Sequence, residues 1–548
     1  MPAMRNLLTV TAGLTLLAFS ACTDAPGALP EPPVLKVTSP KRSTVQGSAG
    51  AIMVAGTVTP NVNTKSALKS VVVNGVTATL NADGTFQASV QVQPGATLIE
   101  TVATDDAGTV AHDTRSVEAG ELRDPGQSVA NALAVALSTN AFAKISDVGS
   151  QMMKAEDFTK LLKPMQPMLD KGGSCLGAKA YIDSLTITDA HLSLVPQDGG
   201  LMFAIELDGL DVKAHADYHV ACIGGSNSFE ITADAVYVAG TLDVTPNGMM
   251  GFDTKLVNPD VQITNLNVSA SGLPGAILDL IDMNGLITFA IEKGAEMFMG
   301  PMINKALGAL GGPQKLNVLG KTIDVQVAPS DVQFTSEGGR IVLDTMMAIE
   351  GLKNVQFVFT PNGSPAMDPG QGMALGLADD LANDLLSQVT ALGLLNISMP
   401  TTGGTFDSVT MQAGGSPPMI SGDPSDGKLR LILPDMKVTF TQAGAPVASG
   451  ALNAKIDLQV APSNNGYTVA IALGKPELSI DVTDDIPNET RFADKDLSTA
   501  VELAMGSQIA SISALLGAVP LPSLAGLQMK NLSVGGDAGY VMVKGDLQ

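Results

Sequence analysis

Four histidines, three cysteines and a few close-set aspartates are the residues of this chain that could do chemistry. In HADYH, His215, Asp217 and His219 alternate along one face of an extended segment. Two imidazoles and a carboxylate are a zinc-ligand set. The same residues also suit a wet strand face, and that plainer reading is adopted. LGKT at 319–322 ends like a phosphate loop, but Lys315 stands where the leading glycine is required. The Gly-x-Ser-x-Gly elbow and the His-Glu-x-x-His motif are both absent. All four histidines (His112, His191, His215, His219) precede residue 220, which leaves the rest of the chain without a histidine acid or base. Asp83, Asp105 and Asp106 read as turn residues before they read as calcium ligands. The expectation is a protein with no catalytic residues, no metal and no cofactor.

The cysteines carry a different message. Residues 1–22, MPAMRNLLTVTAGLTLLAFSAC, have a basic start at Arg5, an apolar stretch from Leu7 to Phe19, and small residues before a cysteine. The stretch is too short to span a bilayer and reads as a secretory signal. Its FSAC end resembles the lipobox of bacterial lipoproteins, with Phe19 where leucine is usual. That resemblance implies a signal peptide over 1–21, an acylated Cys22 such as palmitate would give, and a permanent membrane tether. Thr23 and Asp24 imply the outer membrane by the same resemblance. The Pro-rich residues 22–33 form an extended stalk. Cys175 and Cys222 remain as an even pair in an oxidising compartment, so a disulfide is expected, closing a loop of about 47 residues for roughly 3–4 kcal/mol. The alternative is two separate buried thiols.

Composition limits the partners. Hydrophobic residues make up 45% and charged residues 16%, so the chain is globular. A net charge of −23, with no basic run, excludes a phosphate-gripping surface and makes nucleic acid an improbable partner. With no Trp and few aromatics, stacking platforms for sugars or bases are not expected. Oligomeric state is not legible.

The elements that position these residues fall into three blocks. Residues 34–118 alternate apolar and polar residues in short runs, with Asn74-Gly75 and Asp83-Gly84 as hairpin turns. This block resembles bacterial Ig-like repeats, which implies a β-sandwich spacer. Beyond it the chain repeats itself. DPGQSVANALA at 124–134 and DPGQGMALGLA at 368–378 share seven of eleven positions. Each opens a helical pattern, carrying Val129, Leu133, Val135 and Leu137 in the first copy and Leu377, Leu381, Leu385 and Val389 in the second. Strands follow. In LDVKAHADYHV, Val212, Ala214, Ala216, Tyr218 and Val220 share one face, and the charged residues take the other. A long apolar helical stretch (275–310 and 496–519) and a closing set of strands complete each copy.

LADDLANDLLSQVTALGLLNI and VPLPSLAGLQMKNLSVGGDAGYVMV look like the second-barrel helix and the C-terminal strands of the tubular lipid-binding family. That family includes the bactericidal permeability-increasing and lipopolysaccharide-binding proteins. The resemblance covers about 120–548. It implies an α+β fold: an Ig-like sandwich, then two tandem helix-plus-curved-antiparallel-sheet barrels (120–346 and 347–548) joined end to end. It also implies an acyl chain cradled between helix and sheet in each barrel. A 16-carbon chain could gain roughly 12 kcal/mol from such burial. The implied lining residues are Val129, Leu133, Leu137, Ile291, Met297, Met302 and Ile303 in the first barrel. In the second they are Leu377, Leu381, Leu385, Val501, Met505, Ile512 and Leu515. Acidic residues outnumber basic ones over 121–330, which departs from family members with a cationic tip and points to neutral or zwitterionic lipids. The expected function is a membrane-anchored lipoprotein that binds, and by extension transfers, lipids or other hydrophobic small molecules. The alternative is a structural or adhesion protein with filled barrels.

Overall fold

In a computed structural model, Val34 opens a sandwich of two sheets. The structure describes residues 31–124, 126–248, 251–281 and, with short interruptions, 312–548; the larger segments outside the description are 1–30, 282–311, 483–491 and 506–517. One sandwich sheet has four strands and the other five. The hairpin signals sit where their dihedrals require. Asn74 and Gly75 take φ of 43° and 78° between Leu68–Val73 and Val76–Thr77, and Gly84 takes φ 84° before Thr85–Val92. The aspartates cap turns: Asp83 accepts from the Thr85 amide and hydroxyl, and Asp105 from those of Thr109.

The rest of the chain does not form the expected α+β pair of helix-plus-sheet barrels. Strands dominate and the described helices are short. The difference begins at the repeat itself. VANALAVALS is a strand, Val129–Ser138, and MALGLA is a strand, Met373–Ala378. The helices start only afterwards, at Thr139–Ala155 and Asp379–Ala391. A continuous apolar run between turns fits a buried strand as well as a helix, and periodicity cannot separate the two. Here both strands are interior members of one seven-stranded sheet, flanked on each side.

That sheet carries the duplication. Its order is Gly312–Val318, Lys321–Thr335, Gly338–Ile349, Val129–Ser138, Met373–Ala378, Tyr540–Leu547 and Met529–Asp537. Each copy contributes its opening strand to the middle and its closing hairpin to one flank. The opening strands pair antiparallel with Leu133 opposite Leu377, its own counterpart in the repeat. Two further sheets extend from this centre, one per copy. The first contains Gly200–Val220 and Ile223–Pro246, strands of 21 and 24 residues. Straight, they would span about 70–80 Å.

The long hairpin keeps one buried stripe only by slipping its phase. Phe203, Ile205 and Leu207 are buried, then Leu210, Val212, Ala214 and Ala216. The partner strand slips at the same level, from Ala233 to Val236. Gly209 sits at the slip with φ 58°, and a Cβ there would meet Thr188 Oγ1 at 2.5 Å. A left-handed residue breaks the two-residue period and lets a long ladder bend.

The sandwich docks on the second copy's sheet through a buried polar set. Arg42 donates to Asp435 Oδ1 (2.9 Å), Asp481 Oδ2 (3.0 Å) and Asp113 Oδ2 (3.2 Å). Asp435 Oδ2 accepts from Ser43 N and from Ser116 N and Oγ, and Asn453 donates to Thr114 O and Asp435 Oδ1. Burial pushes Asp481 up to about 6, against the pull of Arg42. Burial, then the Asp435 charge, pushes Glu118 up to about 8, so it holds its proton at neutral pH.

Two outcomes follow from these contacts. Gly209→Val should cost about 1–3 kcal/mol in denaturant unfolding, while Gly535→Ala, with open space at its Cβ, should change stability by less than about 0.5 kcal/mol. Arg42→Met leaves buried carboxylates without their cation and should cost about 3 kcal/mol. It would appear in calorimetry as a sandwich transition separating from the rest; a single unshifted transition contradicts the interface.

Candidate functional site

The candidate site is built on the helix Asp379–Ala391 and the central strand pair beside it. The helix is buried by the wrong residues for an ordinary amphipathic segment. Asp379, Asp380, Asn383, Asp384, Ser387 and Gln388 are buried together with one apolar residue, Val389, whereas Leu381, Ala382, Leu385 and Leu386 are only half-buried.

The reason is that the neighbouring strands end in backbone groups needing partners. Gln388 Oε1 accepts from Ile349 N (2.8 Å) and its Nε2 donates to Met347 O (3.1 Å), which extends the edge of Gly338–Ile349. Asn383 Nδ2 donates to Ile420 O (2.9 Å) and its Oδ1 accepts from Ile420 N (2.6 Å), doing the same for Met419–Gly422 of the second sheet. Asp380 Oδ1 accepts from the Thr360 amide and hydroxyl at 2.9 and 3.1 Å. The helix is thus pinned to three segments by its polar face. The first copy uses a milder form of this device. Ser146 and Ser150, on Thr139–Ala155, accept from the amides of Leu194 and Leu192 along the strand Asp189–Gln197.

Burial sets the electrostatics. It pushes Asp380 up to about 7, aided by the Asp379 charge and opposed by Thr360 and Arg123. It pushes Asp384 up from 3.8 to about 7, with Gln388 opposing. Asp384 Oδ1 accepts from Gln388 Nε2 at 2.9 Å, but Oδ2 has no partner. Burial also raises the Tyr540 phenol, which donates to Asn131 O at 2.8 Å.

The residues expected to line helices distribute unevenly. Val129, Leu133, Leu137 and Leu377 lie on strands, not helices, because the opening run of each copy is central-sheet backbone. Val129 and Leu137 are fully packed, as are Val501 and Met505 in the second copy's core. Leu133, Leu381 and Leu385 are half-buried against the core that the first unit and the central sheet share, and Leu377, opposite Leu133, is half-buried too. Cys22, Ile291, Met297, Met302, Ile303, Ile512 and Leu515 lie outside the described residues. Cys175 and Cys222 form a disulfide. His215 pairs with Asp183 at 2.8 Å and stacks on Tyr181, and no group among the described residues has the ligands to hold a metal. No helix among the described residues is long and apolar enough to cross a membrane. Sequence reasoning missed the polar staple. Its signal was present, however: Asp380, Asn383, Asp384 and Gln388 recur at helical spacing as clearly as the leucines do.

The family model "Glucodextranase, domain B" matches residues 33–120, the sandwich alone. No curated protein matches the chain. Similar solved structures include a lipopolysaccharide binding protein, 17% identical, covering 77% of this chain and 99% of that one, at a TM-score of 0.39. P47 of Clostridium botulinum E1 is 9% identical and covers 78% of this chain and 100% of that one, at 0.28. Likenesses this loose place no residue and assign no ligand.

The acid staple has a pH signature. A carboxyl whose folded pKa is raised contributes its full stability below its unfolded value and loses it as pH rises through the folded one. For Asp384 the loss falls between about pH 4 and pH 7. Asp384→Asn should remove that slope and leave the variant more stable than the parent by roughly 2–4 kcal/mol at pH 8, with the two converging near pH 4. Melting curves across pH 4–8 check it; parallel curves would contradict a dry, protonated Asp384.

Proposed function

We propose that this protein binds lipids or other hydrophobic small molecules on an apolar surface formed by Leu381 and Leu385 of the staple helix and by Leu133 and Leu377 of the central strand pair. The observation that carries the reading is the inverted burial of that helix. Its polar residues are held by strand edges, and its leucines are left incompletely covered in a chain with 45% hydrophobic residues. Leucines that the protein's own packing covers only in part gain from a guest hydrocarbon, at about 0.8 kcal/mol per buried methylene. The reading assigns binding, with transfer as its extension, and no bond-making step. It places the protein in a bacterial cell envelope, tethered at Cys22 in the outer membrane, on the strength of the signal-like N-terminus. The packed state of Val129, Leu137, Val501 and Met505 favours the opposing reading, a structural or adhesion protein with a filled interior.

Mass spectrometry of organic extracts of the purified protein separates the two. Bound lipid near one or two molecules per chain is expected. In parallel, Leu381→Asn/Leu385→Asn should weaken uptake of a fluorescent fatty acid about tenfold, whereas the volume-conserving Leu381→Met/Leu385→Met should keep both uptake and melting temperature near the parent's. Lipid-free extracts together with no uptake by the parent protein would end the proposal.

A further inference from the structure

The far end of the first copy's sheet presents a tip built unlike the rest of the surface. Two turns meet there. One joins Leu169–Gly172 to Leu176–Thr186, and the other, Ala221-Cys222, joins the two longest strands among the described residues. The Cys175–Cys222 disulfide ties the turns together. Leu176 pairs with Val220 and Val220 with Ile223, so three aliphatic side chains stand side by side across the strands. Ile223 is 74% exposed and Leu176 48%. No charged residue occurs in 172–178 or 220–229 within a chain of net charge −23.

We infer that this disulfide-tied tip docks the protein on a lipid bilayer, inserting Ile223 and Leu176 among the acyl chains of a zwitterionic membrane. Three features favour a bilayer as the occupant. Two hydrogen bonds already tie the turns' backbone within the tip: Cys222 N donates to Cys175 O and Gly173 N to Leu176 O. Each backbone group satisfied in this way lowers the cost of entering hydrocarbon. The tip is also kept thin, because a side chain at Gly172 (φ 89°) would strike Leu176 O and one at Gly225 would strike the Tyr218 ring. Just behind it stands a balanced polar collar of Lys171, His219, Asp217 and the Lys179–Asp170 pair (2.8 Å), at the level where headgroups would lie. A balanced collar on an acidic protein fits zwitterionic headgroups and not anionic ones. The inference stands apart from the interior binding proposed above and needs no ligand there.

The absence of tryptophan makes the test direct. In the full chain carrying Cys22→Ala, so that no acyl anchor can form, Ile223→Trp introduces a single reporter. With phosphatidylcholine vesicles its emission should shift to the blue and be quenched by lipids brominated on the acyl chain, equally at low and high salt. A second reporter, Tyr237→Trp on the same sheet but away from the tip, should stay unquenched. Ile223→Asp and Leu176→Asp should each abolish flotation with vesicles while leaving the melting temperature and fatty-acid uptake unchanged. An Ile223→Trp emission that stays solvent-like and unquenched in vesicles, or undiminished flotation of the aspartate variants, would overturn the inference. Fatty-acid uptake measured without vesicles tests the interior reading separately.

Discussion

Buried strand edges must be given hydrogen-bond partners, and much of this protein follows from how that demand is met. In the centre it is met by duplication: two copies of one strand pair with each other at Leu133 and Leu377, and each copy's closing hairpin covers the outer edge. Where strands run out, helices take over. Gln388 and Asn383 act as single rungs of a ladder, supplying an acceptor and a donor to Ile349, Met347 and Ile420. A helix recruited for that purpose must turn its amides and carboxyls inward. Its leucines are then left over, and the proposed hydrophobic site is a consequence of the edge problem as much as a solution to a ligand.

The same constraint explains where the structure carries stress. Asp384 and Glu118 are buried carboxyls with unpaired oxygens, and both lie among groups that satisfy backbone or join sheets. Near neutral pH such residues hold a proton or cost stability. The Arg42 cluster is the contrasting case, in which one guanidinium serves three carboxylates from two sheets and the surrounding amides take the remaining lone pairs. Buried ion pairs of this kind contribute little net energy over apolar packing, but a mispositioned sheet would leave charges stranded, so they fix orientation.

Several features could be read from the chain because their causes are local. The Asn74-Gly75 and Asp83-Gly84 turns need positive φ, and few residue pairs supply it. The face shared by Val212, Ala214 and Ala216 follows from a period of two. Cys175 and Cys222 were the pair left once Cys22 was set aside. The repeated DPGQ pointed to duplication, and the antiparallel meeting of the two copies agrees with it.

What the sequence determined, then, was the set of turns, the alternation and the repeat, all of which depend on a residue and its near neighbours. Only the tertiary structure decided that VANALAVALS is a strand, since an apolar run takes its conformation from what flanks it, and here other strands lie on both sides. It alone decided that Arg42 would meet Asp435 and Asp481, 393 and 439 residues away in the chain. And it decided which face of the Asp379–Ala391 helix points inward. Both its faces were plainly written at the same helical spacing, and the choice between them went to the side chains that the open strand edges could bond.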